Sequence, residues 1–246
     1  MITGLKQPVT EMVIPDYVTE IREYAFNNCK SLIKVTLGSN LKTINDSAFS
    51  GCKKLVEVIN KSGLEIDHSP DNGYVGYYAL NIATNGESKI VNKNGYLYFT
   101  YNNTNNLIGY AGNDTDLVLP EDFNGQSYKI YKYAFKDCKN LTSITIPNCV
   151  TDIGNFAFWD CDSLSVVTIG NGVTNIGAYA FYDCNSLSVV TIGNGVTNIK
   201  ERAFSGCSSL KRVVIPDSVA SIEEYAFCDC NSLSVVTIGN GVTNIK

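Results

Sequence analysis

Nine cysteines, one histidine and fifteen tyrosines are the residues of this 246-residue chain whose chemistry could reach beyond packing. Seven of the cysteines (Cys29, Cys52, Cys138, Cys161, Cys184, Cys207 and Cys230) each lie three residues after an Ala-Phe pair. A metal site needs clustered ligands, and no Cys-x-x-Cys pair is present. If the periodic cysteines stack, their Cβ vectors run parallel, which is poor geometry for a disulfide. They are therefore expected to be reduced and inward-facing, packing as small hydrophobes. Cys149 and Cys228 fall outside the register and are expected to be the more exposed thiols. His68 stands next to Ser69, but a nucleophilic site needs an imidazole oriented against the nucleophile, which sequence adjacency does not supply. No phosphate-binding Gly-rich loop follows a strand pattern. The expectation is a protein without catalytic residues, metal or cofactor.

The tyrosines are unevenly placed. Residues 74–110 hold Tyr74, Tyr77, Tyr78, Tyr96, Tyr98, Tyr101 and Tyr110. The run GYLYFTY, the Asn-rich stretch 102–106 and LIGYAG read as a β-hairpin of residues 95–101 and 107–112. Leu97, Phe99 and Tyr101 alternate with Tyr96, Tyr98 and Thr100, so both faces carry aromatic rings. Either the hairpin is covered on both sides, or one face is an interaction surface. The candidate ligand contacts are Tyr96, Tyr98 and Tyr101, with Tyr74 and Tyr77 beside them.

The elements that must position these residues follow from a repeat. The Ala-Phe pairs end at Phe26, Phe49, Phe135, Phe158, Phe181, Phe204 and Phe227, spaced by 23, then 86, then four times 23. The block SLSVVTIGNGVTNI occurs unchanged from Ser163, Ser186 and Ser232. Within one unit Leu164, Val167, Ile169, Val173, Ile176, Ala180, Phe181 and Cys184 are the recurring apolar positions. Val167 and Ile169, two apart, mark one face of a short strand, and Gly170-Asn171-Gly172 is turn chemistry. So short a unit cannot bury its own apolar face and must stack on its copies. The return stretch GAYAFYDCNS has room for a short helical or 3₁₀ turn, with Tyr24, Tyr133, Phe156, Tyr179 and Tyr225 covering its outer side. The expected fold is an α/β solenoid, a right-handed superhelix with one parallel β-sheet. One domain spans 1–246: repeats at 9–66, an irregular Tyr-rich insertion at 67–113, and repeats at 114–246 with the last truncated. A further rung is expected to begin in phase at Leu55, Val58 and Leu64, with Gly76-Tyr77-Tyr78-Ala79-Leu80 as its degenerate return.

Composition narrows the function classes. With 19 Lys+Arg against 24 Asp+Glu the net charge is −5, which argues against the basic face nucleic-acid binding requires. No apolar run is long enough to span a membrane as a helix. Residues 1–7 lack the basic and apolar regions of a signal peptide, and the last rung stops short of its Ala-Phe pair, as expected of a fragment of a longer chain. On the strand face Thr36, Thr145, Thr168, Thr191 and Thr237 form one stripe; Lys34, Ser143, Val166, Val189, Arg212 and Val235 form the next. These are either plain β-formers or a shallow binding face.

The pattern Leu-x-x-Val-x-Ile-Pro/Gly-x-x-Val-x-x-Ile-x-x-x-Ala-Phe-x-x-Cys, over residues 9–54 and about 114–246, resembles the BspA-type leucine-rich repeat of bacterial surface proteins. The resemblance implies a secreted or cell-surface protein of a host-associated bacterium, and a non-enzymatic adhesion module. Its partner would be a host extracellular-matrix or cell-surface protein, or a glycan. A structural spacer that presents other domains is the alternative.

Overall fold

The structure, a computed structural model, describes residues 9–84 and 86–246. The reading of residues 1–7 falls outside the described residues. The chain divides into two compact units, 1–90 and 91–246, so the boundary lies inside the Tyr-rich insertion.

A single rung shows how the sequence becomes structure. Leu164, Val167 and Ile169 are buried while Val166 is exposed, so the strand Val166–Ile169 presents one apolar face inward. The Gly170-Asn171-Gly172 turn leads to a second short strand, Asn175–Ile176. Each rung thus contributes to two parallel sheets, not the single one expected. In the second unit one sheet begins Asp116–Val118, Ser143–Ile146, Val166–Ile169, Val189–Thr191, and the other stacks Asn175–Ile176 on Asn198–Ile199 and onward to Asn244–Ile245. Register is set by the repeat: Val166 pairs with Val189, and Val167 with Val190.

The α/β class is also corrected. No α-helix occurs among the described residues, and the only helical turn among them is a 3₁₀ segment, Asn72–Tyr74. The return stretch fails to become helical because it passes twice through the left-handed region, at Tyr179 (φ 57°) and Asp183 (φ 56°). Its N–H groups then alternate. Those of Ala180, Tyr182 and Cys184 donate three residues back within the rung, to Gly177, Tyr179 and Phe181. Those of Tyr179, Phe181 and Asp183 donate across to Glu201, Ala203 and Ser205 of the next rung. The return is therefore a third ladder between rungs. The same geometry explains the residue before each periodic Cys: Asn28, Gly51, Asp137, Asp160, Asp183, Gly206 and Asp229 all have positive φ, which Asn, Asp and Gly tolerate best.

Side chains repeat the ladder. The rings of Phe135, Phe158, Phe181, Phe204 and Phe227 stack at centroid spacings of 5.0, 4.9, 5.1 and 5.3 Å with planes within 5° of parallel. Outside them Tyr133, Phe156 and Tyr179 stack at 5.0 Å, and the Arg202 guanidinium continues the column, 5.6 Å from the Tyr179 ring and 4.8 Å from that of Tyr225.

The first unit is built on the same plan, with parallel strands Glu11–Val13, Lys34–Leu37, Glu57–Asn60 and Asn81–Ala83. The further rung expected from Leu55, Val58 and Leu64, the third of this unit, is present: Val75 and Ala79 are buried in the unit's core, and the chain re-enters the sheet at Asn81. All four residues of Glu57–Asn60 are buried, where the preceding strand Lys34–Leu37 alternates. Glu57 lies on the outward stripe between Lys34 and Asn81, yet residues 86–90 cover it. Its carboxylate accepts from Ser88 Oγ (2.6 Å), Lys89 N–H (3.0 Å) and Asn81 Nδ2 (3.2 Å).

Candidate functional site

The Tyr-rich hairpin is built into the second unit's longer sheet. Its strands are Tyr96–Tyr101 and Thr104–Tyr110. The turn is the pair Asn102-Asn103, not the five residues 102–106, because both have positive φ (47° and 58°) and suit the tight two-residue turn of a twisted hairpin. Val91–Lys93 pairs antiparallel on one side, and Thr104–Tyr110 runs parallel with Tyr128–Ile130 on the other. The insertion thus supplies the first strands of the stack.

This placement sorts the predicted tyrosines. Tyr98 is fully buried, stacked on Phe123 at 4.2 Å and edge-on to Tyr128 at 5.4 Å; desolvation pushes its phenol up to about 12. With Leu97, Tyr98 and Phe99 consecutive and all buried, the hairpin's centre is covered on both faces. Tyr96 is half-buried, its hydroxyl donating to the Val118 carbonyl at 2.9 Å and its ring 4.8 Å from Tyr110. Tyr101, at the hairpin tip, is 44% exposed. In the first unit Tyr74 is half-buried and Tyr77 is 47% exposed, in an edge-to-face run of Tyr74, Tyr77 and Tyr78 with spacings of 5.4 and 4.9 Å.

Sequence reasoning missed what adjoins Tyr101. Its cross-strand partner Thr104 lines a polar cleft of about 480 Å³ with Asn103, Asn105, Gln126, Ser127 and Lys129. Asn105 organises this wall: its amide donates to Gln126 Oε1 (3.0 Å) and the Ser127 carbonyl (3.3 Å), and its oxygen accepts from Thr100 Oγ1 (2.9 Å). The run of amides and hydroxyls from 100 to 106 is the signal that could have found it. His68 Nδ1 lies 3.2 Å from the Gly76 carbonyl, and Ser69 Oγ accepts from Asp71 N–H.

Comparison with known proteins accords with this architecture. The BspA type leucine rich repeat region, in six copies, matches residues 5–85 and 128–246. The chain belongs to the BspA-type leucine-rich repeat family. Among solved structures, the BspA-type chain is similar to a leucine rich cell surface protein of Faecalibacterium prausnitzii (24% identity, TM-score 0.59, covering 95% of this chain and 80% of that one). It is also similar to a leucine-rich repeat protein of Eubacterium ventriosum (24%, 0.57, 94% and 73%) and to the leucine rich repeat protein of T. pallidum (24%, 0.53, 63% and 85%). These likenesses bear on the fold. No curated protein matches the sequence. Among the described residues no helix is long and apolar enough to cross a membrane. A BspA-type repeat array is a scaffold for protein binding.

In this BspA-type array the periodic cysteines do more than fill space. The thiols of Cys52, Cys161, Cys184, Cys207 and Cys230 each point at the Phe carbonyl of the preceding rung, at 3.1–3.3 Å (Cys184 Sγ to Phe158 O is 3.2 Å). Burial raises the pKa of Cys184 and Cys207, which disfavours the reactive thiolate. Cys29, Cys138, Cys149 and Cys228 are half-buried. A thiol reagent applied to native protein should label Cys228 and Cys149 before Cys161, Cys184 or Cys207, with peptide mapping as readout. Early labelling of Cys184 would contradict this packing.

Proposed function

We propose that this chain is a non-enzymatic binding or adhesion module of a cell-surface or secreted bacterial protein, recognising a host or cell-surface macromolecule. The observation that carries the reading is the exposed Tyr101 ring beside the amide-rich cleft of Asn103, Asn105 and Gln126. An exposed phenol supplies contact area at low entropic cost, and amides supply the directional bonds that proteins and glycans both accept. The run of Tyr74 and Tyr77 is a second, smaller contact candidate in the first unit. Tyr98 belongs to the core and Tyr96 is tied to Val118, so neither leads the contact. Surface placement draws on the family and on the likeness to the cell surface protein of Faecalibacterium prausnitzii.

The test is binding of the purified chain to immobilised extracellular-matrix proteins and to a glycan array. Tyr101→Ala should weaken a positive signal about tenfold or more, with an unchanged thermal midpoint. Tyr77→Ala should weaken it less. Binding that both variants leave intact would move the site elsewhere, and silence across the whole panel would favour the spacer alternative.

A further inference from the structure

The polar cleft beside Tyr101 sits where the stack loses its regularity. Tyr128 pairs with Val150 but Ile130 pairs with Ile153, so the strand Val150–Ile153 carries one residue more than its partner. In the following layers Asp152 pairs with Asn175, and Asn175 with Asn198, without a slip. An extra residue of this kind re-aims side chains away from the regular ladder, and Thr151, at the slip, lines the cleft. Tyr101 lies opposite Thr104 and Lys129 opposite Asn106. Thr104 and Asn106 are two apart on one strand, so Tyr101, Thr104 and Lys129 share one face of the sheet. The strand Thr104–Tyr110 is paired on both sides, so it has no edge to offer a peptide strand.

The chemistry of the lining is polar and its charge is spent. Lys129 Nζ stands 3.0 Å from Asp152 Oδ2, while Asp152 Oδ1 accepts from Asn175 Nδ2 at 3.0 Å. The cation of the lining is thus matched by a carboxylate whose two oxygens are both engaged, and an anionic ligand would meet no unpaired positive charge. Gln126 Oε1 accepts from Asn105, which leaves Gln126 Nε2 to donate outward. The hydroxyls of Thr104, Ser127 and Thr151 can each donate and accept. Tyr98, Phe99 and Leu107 are turned into the core, leaving Tyr101 as the exposed ring of the hairpin. A protein partner draws its affinity from an apolar centre, which this lining does not supply. A pyranose carries the matching set: a rim of hydroxyls that both donate and accept, and a face of C–H groups that can lie on an aromatic ring. The volume of about 480 Å³ falls within the range of small-ligand clefts, about 300–1,000 Å³.

We propose that this cleft binds a neutral saccharide, its ring laid on Tyr101 and its hydroxyls held by Gln126 Nε2 and by the hydroxyls of Thr104, Ser127 and Thr151. The inference rests on the reading of Tyr101 as the contact surface and narrows the ligand of that surface from a macromolecule of either kind to a glycan.

The test is an NMR titration of the isotope-labelled chain with methyl mannoside, N-acetylglucosamine, lactose and N-acetyllactosamine, each to about 10 mM. Sialyllactose serves as the anionic counterpart of lactose. At least one neutral probe should shift the Gln126 side-chain amide and the Thr104 and Ser127 backbone amides saturably, and sialyllactose should bind no tighter than lactose. Gln126→Glu keeps the acceptor that Asn105 needs and replaces the outward donor by an oxygen; it should weaken saccharide binding about tenfold. Tyr101→Ala should do the same, with the Phe181 and Cys184 amides unmoved in both variants. If no neutral probe shifts the cleft amides while an immobilised matrix protein is retained through Tyr101, the saccharide is overturned and the Tyr101 surface stands. If neither sugar nor matrix protein binds, both fall. Saccharide binding that both variants leave undiminished would overturn the placement in this cleft. Sialyllactose binding about tenfold or more tighter than lactose would overturn the neutral class.

Discussion

Substituting Ala for Phe181 should remove about 3–5 kcal/mol from the unfolding free energy of the second unit. The ring is fully buried and sandwiched between Phe158 and Phe204 at 4.9 and 5.1 Å, so its loss opens a void against two rungs at once. Little can collapse to fill that void, because the backbone on either side is pinned: Phe158 N–H bonds Ala180, and Phe181 N–H bonds Ala203, each at 2.7 Å. Phe227→Ala should cost clearly less, since Phe227 is only partly buried and stacks on one ring, Phe204. Urea titrations of the two variants supply the comparison. A Phe181→Ala loss below about 1 kcal/mol would mean that the aromatic column adds little to the stack.

The second large effect is expected at Glu57. Its buried carboxylate is the common acceptor for Ser88 Oγ, Lys89 N–H and Asn81 Nδ2. Glu57→Ala should leave those donors facing an apolar gap and cost about 1–3 kcal/mol. The loss should be local, with faster exchange of the Lys89 amide and protease sensitivity near 86–90, while Val35 and Val58 stay protected in the sheet. Glu57→Gln, which keeps one acceptor oxygen, should recover part of the effect. An unchanged Lys89 amide in Glu57→Ala would show that residues 86–90 are held by something other than this carboxylate.

What could be read from the sequence depended on periodicity. Leu164, Val167, Ile169, Phe181 and Cys184 repeat with fixed phase, and every one is buried. The second strand was hidden because Asn175–Ile176 is two residues long and shows no alternation. The absence of helix was hidden because the length of GAYAFYDCNS leaves room for a helical turn; only the left-handed backbone at Tyr179 and Asp183 reveals otherwise, and a tyrosine gives no such signal. Tyr98 and Tyr101 look equivalent in GYLYFTY, yet one is in the core and the other at the tip, since parallel pairing with Tyr128–Ile130 decides which rings are covered. Glu57 could not be placed because its cover comes from a segment outside the repeat.

The rungs of the second unit are joined by bonds that run along the stacking direction, so a pull along that axis loads every bond between two rungs together, and the layers in series. Such an array behaves like a chain of links of unequal strength. The layer between the rung of Val189 and that of Arg212 keeps its second-strand and return ladders but lacks the first. Under tension it should be the first to part inside the unit, freeing the segment from about residue 210 onward while the Phe135–Phe181 column stays intact. The array would then work as a mechanical fuse, with a yield point set by the one layer that is missing a ladder.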